Sequence, residues 1–128
     1  MAVRTEIVNP TWRDGRVTSW LTTLDHKRIG ILYIVTSFFF FFAAGVMALL
    51  MRVQLSQAEN DFITGNSYNQ LFTVHGTMMV FLFVVPMLAG FGNYLVPLMI
   101  GAKDMAFPRL NALSYWLFLL GGLVGSIA

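Results

Sequence analysis

Thirty consecutive residues, Leu71 to Ile100, contain no Asp, Glu, Lys or Arg. At about 1.5 Å rise per residue, a helix of that length spans ~45 Å, against a bilayer hydrocarbon core of ~30 Å. The stretch is therefore read as a membrane crossing that must tilt, kink or project beyond the lipid. Pro86 predicts the break, because its missing N–H removes a helical hydrogen bond to Leu82. Two further uncharged runs, 29–51 and 112–128, are also long enough to be spans, the second only marginally. Only 11% of the chain is charged, less than half of ordinary usage, which agrees with a membrane protein. The expected fold is all-α, with three transmembrane helices. The final GGLVGSIA carries no cap, charge or interfacial anchor, so the third helix is expected to be truncated.

Charge placement gives an orientation. Five of the eight basic residues (Arg4, Arg13, Arg16, Lys27 and Arg28) fall in the arm 1–28, and two more, Lys103 and Arg109, in the loop 101–110. The connection from Arg52 to Gln70 adds none beyond Arg52 itself. By the positive-inside rule the N-terminus and the 101–110 loop are cytoplasmic. The arm reads as interfacial, with Trp20 at headgroup level. Thr22 and Asp25 have the spacing of a capping box ahead of the first span, and His26 reads as an interfacial histidine. The absence of cysteine excludes disulfides and thiolate metal sites, and no basic run points to nucleic acid.

Polar groups inside lipid carry most of the functional signal. His75 lies about one turn inside the outer boundary, and three chemistries suit it: iron ligation, a proton relay, or an interhelical hydrogen bond. Asn93 follows eighteen residues later, five turns of an undistorted helix, so the two are expected on one face. Asp104 sits in the inner loop, where an exposed carboxylate is ordinary but a proton collector is possible, and Asn111 opens the third span. Arg52, expected at the depth of His75, is either a snorkelling end residue or a cation that holds a polar substituent of a cofactor. Ser37, Phe41, Gly45, Ala48 and Arg52 form a mostly small stripe that admits a close helix or a flat cofactor.

The motifs WLTTLDHKRIGILY, MALLMR, YNQLFTVHGTMMVF and GFGNYLVPLMIGAKDMAFPRLN resemble the N-terminal part of subunit I of the bacterial heme–copper terminal oxidases, nearest to the cytochrome c oxidases. The resemblance covers roughly residues 20–128. It implies the first part of a twelve-helix bundle in the bacterial plasma membrane. His75 then corresponds to an axial ligand of the low-spin heme, most readily of the a type, and Arg52 to the arginine at a heme substituent. Tyr68 lies near that heme in relatives. Asp104 corresponds to the mouth of a proton-uptake pathway, with Asn93 and Asn111 as its amides. The partners implied are the remainder of subunit I, a copper-carrying subunit II, cytochrome c and lipid.

The parent subunit is accordingly expected to reduce dioxygen to water with electrons from cytochrome c and to pump protons. Copper and the high-spin heme belong to later parts of such a subunit, so 128 residues alone are expected to be inactive. Some positions depart from the family pattern. Lys103 replaces a proline before the aspartate. The stretch from Pro86 to Asn93 is one residue shorter than in mitochondrial-type proteins. Gln54 stands where several relatives place a glutamate of an outer-loop cation site. A quinol oxidase of the same superfamily and a non-catalytic membrane scaffold are the alternatives, separable by donor-docking residues and by heme content.

Overall fold

The computed structural model describes residues 17–127. The sequence readings that rest on Arg4, Arg13, Arg16 and Ala128 lie outside them. A short helix, α1 (Val17–Leu21), precedes the long helix α2 (His26–Gln54). A second continuous helix follows in three parts: α3 (Gly65–Thr77), a π-helical segment (Met78–Val84) and α4 (Val85–Met99). The last helix is α5 (Pro108–Ile127). Three of these units, His26–Gln54, Gly65–Met99 and Pro108–Ile127, are long and apolar enough to cross a membrane. Their outward faces are apolar, with Phe39, Phe42, Leu49, Phe81 and Leu88 all exposed, as lipid or further apolar helices require.

Local chemistry sets the ends. Asp25 alone is the N-cap of α2 and accepts from the Lys27 amide at 3.2 Å. The capping box expected from Thr22 does not form; its hydroxyl instead donates to the Thr18 carbonyl. Helix α4 closes in a Schellman turn. Gly101, with φ of +72°, donates to the Leu98 carbonyl, and the Ala102 amide donates to that of Pro97. This turn releases the chain directly into Lys103 and Asp104. Pro108 then opens α5, where its lack of an N–H is harmless.

Helix α2 is the centre of the bundle. Gly30 and Gly90 bring α2 and α4 into backbone contact, so close that a methyl group on Gly90 would lie 3.0 Å from the Gly30 carbonyl oxygen. Ile29, Tyr33 and Tyr115 form one core cluster, and Phe40, Ala44 and Met78 a second, with Phe118 of α5 packed against both.

The break predicted at Pro86 takes the form of the π segment just before it. A proline cannot donate to the carbonyl four residues back and its ring crowds that carbonyl. The i→i+5 pattern relieves the crowding; the Val85 amide reaches the Val80 carbonyl. The segment takes up one extra residue. Between the contacts Gly30–Gly90 and Ala44–His75, α2 runs fourteen residues (44 − 30) and its antiparallel partner fifteen (90 − 75).

Candidate functional site

His75 is half-buried on α3, and its Nδ1 lies 2.8 Å from the carbonyl oxygen of Ala44 on α2. A carbonyl only accepts, so Nδ1 carries the proton and donates. In a neutral ring this bond fixes the tautomer and the ring plane and leaves the Nε2 lone pair available to a metal. Gly45 and Gly76, each next in sequence to one partner of this bond, have nothing within 4 Å of where a Cβ would stand. The stripe through Ser37, Phe41 and Gly45 is thus put to mixed use. Ser37 is buried and donates to the Tyr33 carbonyl, and Phe41 packs on Phe83 at 4.7 Å. Only Gly45 faces open space. Arg52 lies eight residues beyond Ala44, about 12 Å further along α2, rather than at the depth of His75. Tyr68 sits on the first turn of α3, half-buried beside Gln54 and Asn60.

The opposite end of the bundle holds the second group of residues. Asn93 is buried at 8% exposure. Pro97, four residues on, has no N–H to give the Asn93 carbonyl. Asp104 is half-exposed and accepts from the Met105 amide at 2.8 Å. His26, the first residue of α2, is only 2% exposed, and its Nδ1 lies 3.4 Å from Asp104 Oδ1 and 3.7 Å from Asp25 Oδ1. Among the described residues its Nε2 is buried without a partner, as is Nδ2 of Asn111. Buried polar atoms of this kind are normally satisfied by ordered water.

A polar row continues inward from Asn111. The Ser114 hydroxyl donates to the Asn111 carbonyl at 2.7 Å, so it accepts from Tyr33 Oη at 2.9 Å. One turn along, Thr36 and Tyr115 share a second 2.9 Å hydroxyl pair. His26, Tyr33 and Ser114 are the polar residues here that sequence reasoning missed. The available signal was their spacing: Tyr33 lies two turns from His26, and Ser114 three residues from Asn111, which places each pair on one face.

These features define a multi-pass membrane protein with an imidazole hydrogen-bonded across two helices near one end and a buried imidazole beside half-exposed carboxylates at the other. Residues 28–128 match the family described as Cytochrome C and Quinol oxidase polypeptide I, and the chain belongs to that family, subunit I of the heme–copper oxidases. It is 56% identical over 121 residues to a putative cytochrome c oxidase subunit 1-beta of Streptomyces avermitilis, covering 92% of this chain and 22% of the relative. It is 61% identical over 95 residues to cytochrome c oxidase subunit 1 of Thermostichus vulcanus, covering 73% and 17%. A heme-copper oxidase subunit I+III of Aeropyrum pernix shares 57% over 108 residues, covering 84% and 13%. The chain thus spans about a fifth or less of the length of these relatives.

Proposed function

We propose that this chain supplies one axial ligand of a low-spin heme and the mouth of a proton-uptake path to a respiratory terminal oxidase. The whole subunit would reduce dioxygen to water with electrons from cytochrome c, coupled to proton pumping across the bacterial plasma membrane. The similarity to cytochrome c oxidase subunits favours cytochrome c over quinol as donor. The observation that carries the reading is the bond from His75 Nδ1 to the Ala44 carbonyl, which orients the ring and turns Nε2 away from that bond. The open space beside Gly45 and Gly76 suits a flat macrocycle.

When bound, the heme, of the a type in this reading, supplies one-electron transfer. The protein's own contributions are ligation by His75, the positive charge of Arg52 toward a heme substituent, and packing by Tyr68. At the cytoplasmic end Asp104 collects protons, and His26 receives them through its 3.4 Å contact. Asn93, Asn111, Ser114 and Tyr33 carry the path inward through hydroxyls and held water. Copper and the high-spin heme would be bound elsewhere in the full subunit, since this chain has two histidines and no cysteine. By itself the chain would be inactive, requiring the remainder of subunit I and a copper-carrying subunit II.

The test is His75→Ala in the full-length oxidase, with heme counted per protein and the reduced spectrum recorded. Loss of the low-spin component, with the polypeptide still assembled, is the expected result. An unchanged spectrum removes His75 as a ligand and leaves its bond to Ala44 as a packing contact.

A further inference from the structure

The connection from α2 to α3 is held by two interlocked amides. Gln54, the last residue of α2, accepts from the Ile63 amide through Oε1 at 2.7 Å and donates through Nε2 to the Asn60 carbonyl. Asn60 answers in the other direction: its Nδ2 donates to the Val53 carbonyl at 3.0 Å, and its Oδ1 accepts from the Phe62 amide at 3.2 Å. One amide reaches from helix to loop and the other from loop to helix. Ser56 adds a second side-chain donor on Val53, at 2.7 Å. Glu59, at φ of +59°, makes the left-handed turn that brings Asn60 back to the helix end.

The outer-loop cation site implied by the family resemblance does not fit this arrangement. The oxygens this junction would offer such an ion are the side-chain oxygen at position 54 and the Asn60 carbonyl. Here each is already engaged, one by the Ile63 amide and the other by Gln54 itself. A glutamate at position 54 would still accept from Ile63. It would then set a carboxylate oxygen against the Asn60 carbonyl with no N–H between them, an all-oxygen arrangement of the kind that hard cations bind. The carboxamide carries its own donor.

We propose that Gln54 is a cation-free latch. Its Nε2–H₂ group takes the role a bound cation would play, so the junction that carries Arg52 into α3 keeps its geometry whatever the calcium or sodium concentration outside. The proposal stands independently of the heme assignment. It also makes a gain-of-requirement prediction: Gln54→Glu should turn the latch into a cation-dependent one. Asp61, which lines the same depression as Gln54, Asn60 and Thr64, is available as an added ligand.

The test is amide hydrogen exchange at Phe62 and Ile63 in the full-length, membrane-extracted protein, with EDTA or with millimolar CaCl₂, together with calcium content by elemental analysis. In the natural protein the Ile63 amide should be equally protected in both media, with no stoichiometric calcium. Gln54→Ala should exchange faster by roughly tenfold in both, the effect of losing about one hydrogen bond. Gln54→Glu should exchange fast in EDTA, recover protection in calcium and retain about one Ca²⁺ per chain, the single ion that would bridge two oxygens. Protection of the natural protein that falls in EDTA would overturn the proposal, as would a Gln54→Glu variant indifferent to calcium. The EDTA comparison on the natural protein stands even where a variant fails to assemble.

Discussion

Replacing Gly90 by alanine puts a methyl group into the backbone contact between α2 and α4. The new Cβ would stand 2.8 Å from Ile34 Cγ1, 3.0 Å from the Gly30 carbonyl oxygen and 3.0 Å from Tyr33 Cβ. One of these is backbone and the others lie at the stems of their side chains, so no flexible tip can swing away and α2 and α4 must part. Overpacking of this kind costs about 1–3 kcal/mol. Alanine also gains up to ~1 kcal/mol over glycine in intrinsic helix propensity. Gly92 isolates the two effects, because a Cβ there meets nothing within 4 Å and Gly92→Ala collects the propensity gain alone. The propensity term cancels between the variants. Gly90→Ala should therefore be less stable than Gly92→Ala by about 1–3 kcal/mol, roughly 5- to 150-fold in the folded ratio. Reversible unfolding in mixed SDS and dodecylmaltoside micelles, followed by far-ultraviolet circular dichroism, reads this difference. Adding Gly30→Ala to Gly90→Ala should cost less than the sum of the two, since both part the same helices. Equal midpoints for Gly90→Ala and Gly92→Ala would refute the close approach of α2 and α4.

Further outcomes follow from the Asp104 end. Asp25→Ala should destabilise α2 by about 1 kcal/mol through loss of the cap, and Asp25→Asn should restore most of it, read by the same unfolding assay. Gly101→Ala should cost roughly 1–2 kcal/mol, because alanine resists the left-handed conformation, and should slow proton uptake by moving Asp104 away from His26. Tyr33→Phe and Ser114→Ala should each cost ~0.6 kcal/mol, with strong coupling in a double-mutant cycle, as one shared hydroxyl bond in a membrane requires. Asp104→Asn in the full-length oxidase should slow proton uptake by about tenfold or more with the heme spectrum unaltered, measured by stopped-flow with a pH indicator.

The sequence carried the helices. Uncharged length exposed the three crossings, and an imidazole inside one of them marked His75, since lipid tolerates few such groups. The role of Pro86 was legible as a break but not as a π turn. Whether the ladder bends or widens depends on what α2 allows beside it, and that information lies some fifty residues earlier. The burial of His26 beside Asp104 was not legible, because the two are 78 positions apart and meet through the Schellman turn at Gly101 that returns Asp104 to the start of α2. The Gln54 latch was invisible for a related reason. A glutamine after an apolar run looks like a solvated helix end until the loop folds its own carbonyl and amide onto the side chain.

The π segment gives the second membrane helix one residue of slack. A wider turn holds an extra residue without shifting the faces on either side of it. Deleting one residue within Met78–Val84 should convert it to ordinary α-helix and leave both His75 and Asn93 directed as they are. The same deletion between Val85 and Asn93 would turn everything beyond it by about 100°, taking Asn93 off the buried face. The helix is thus two independently indexed rods joined end to end, one set by the contact at Ala44 and the other by the contact at Gly30. A length change is absorbed at their joint and nowhere else.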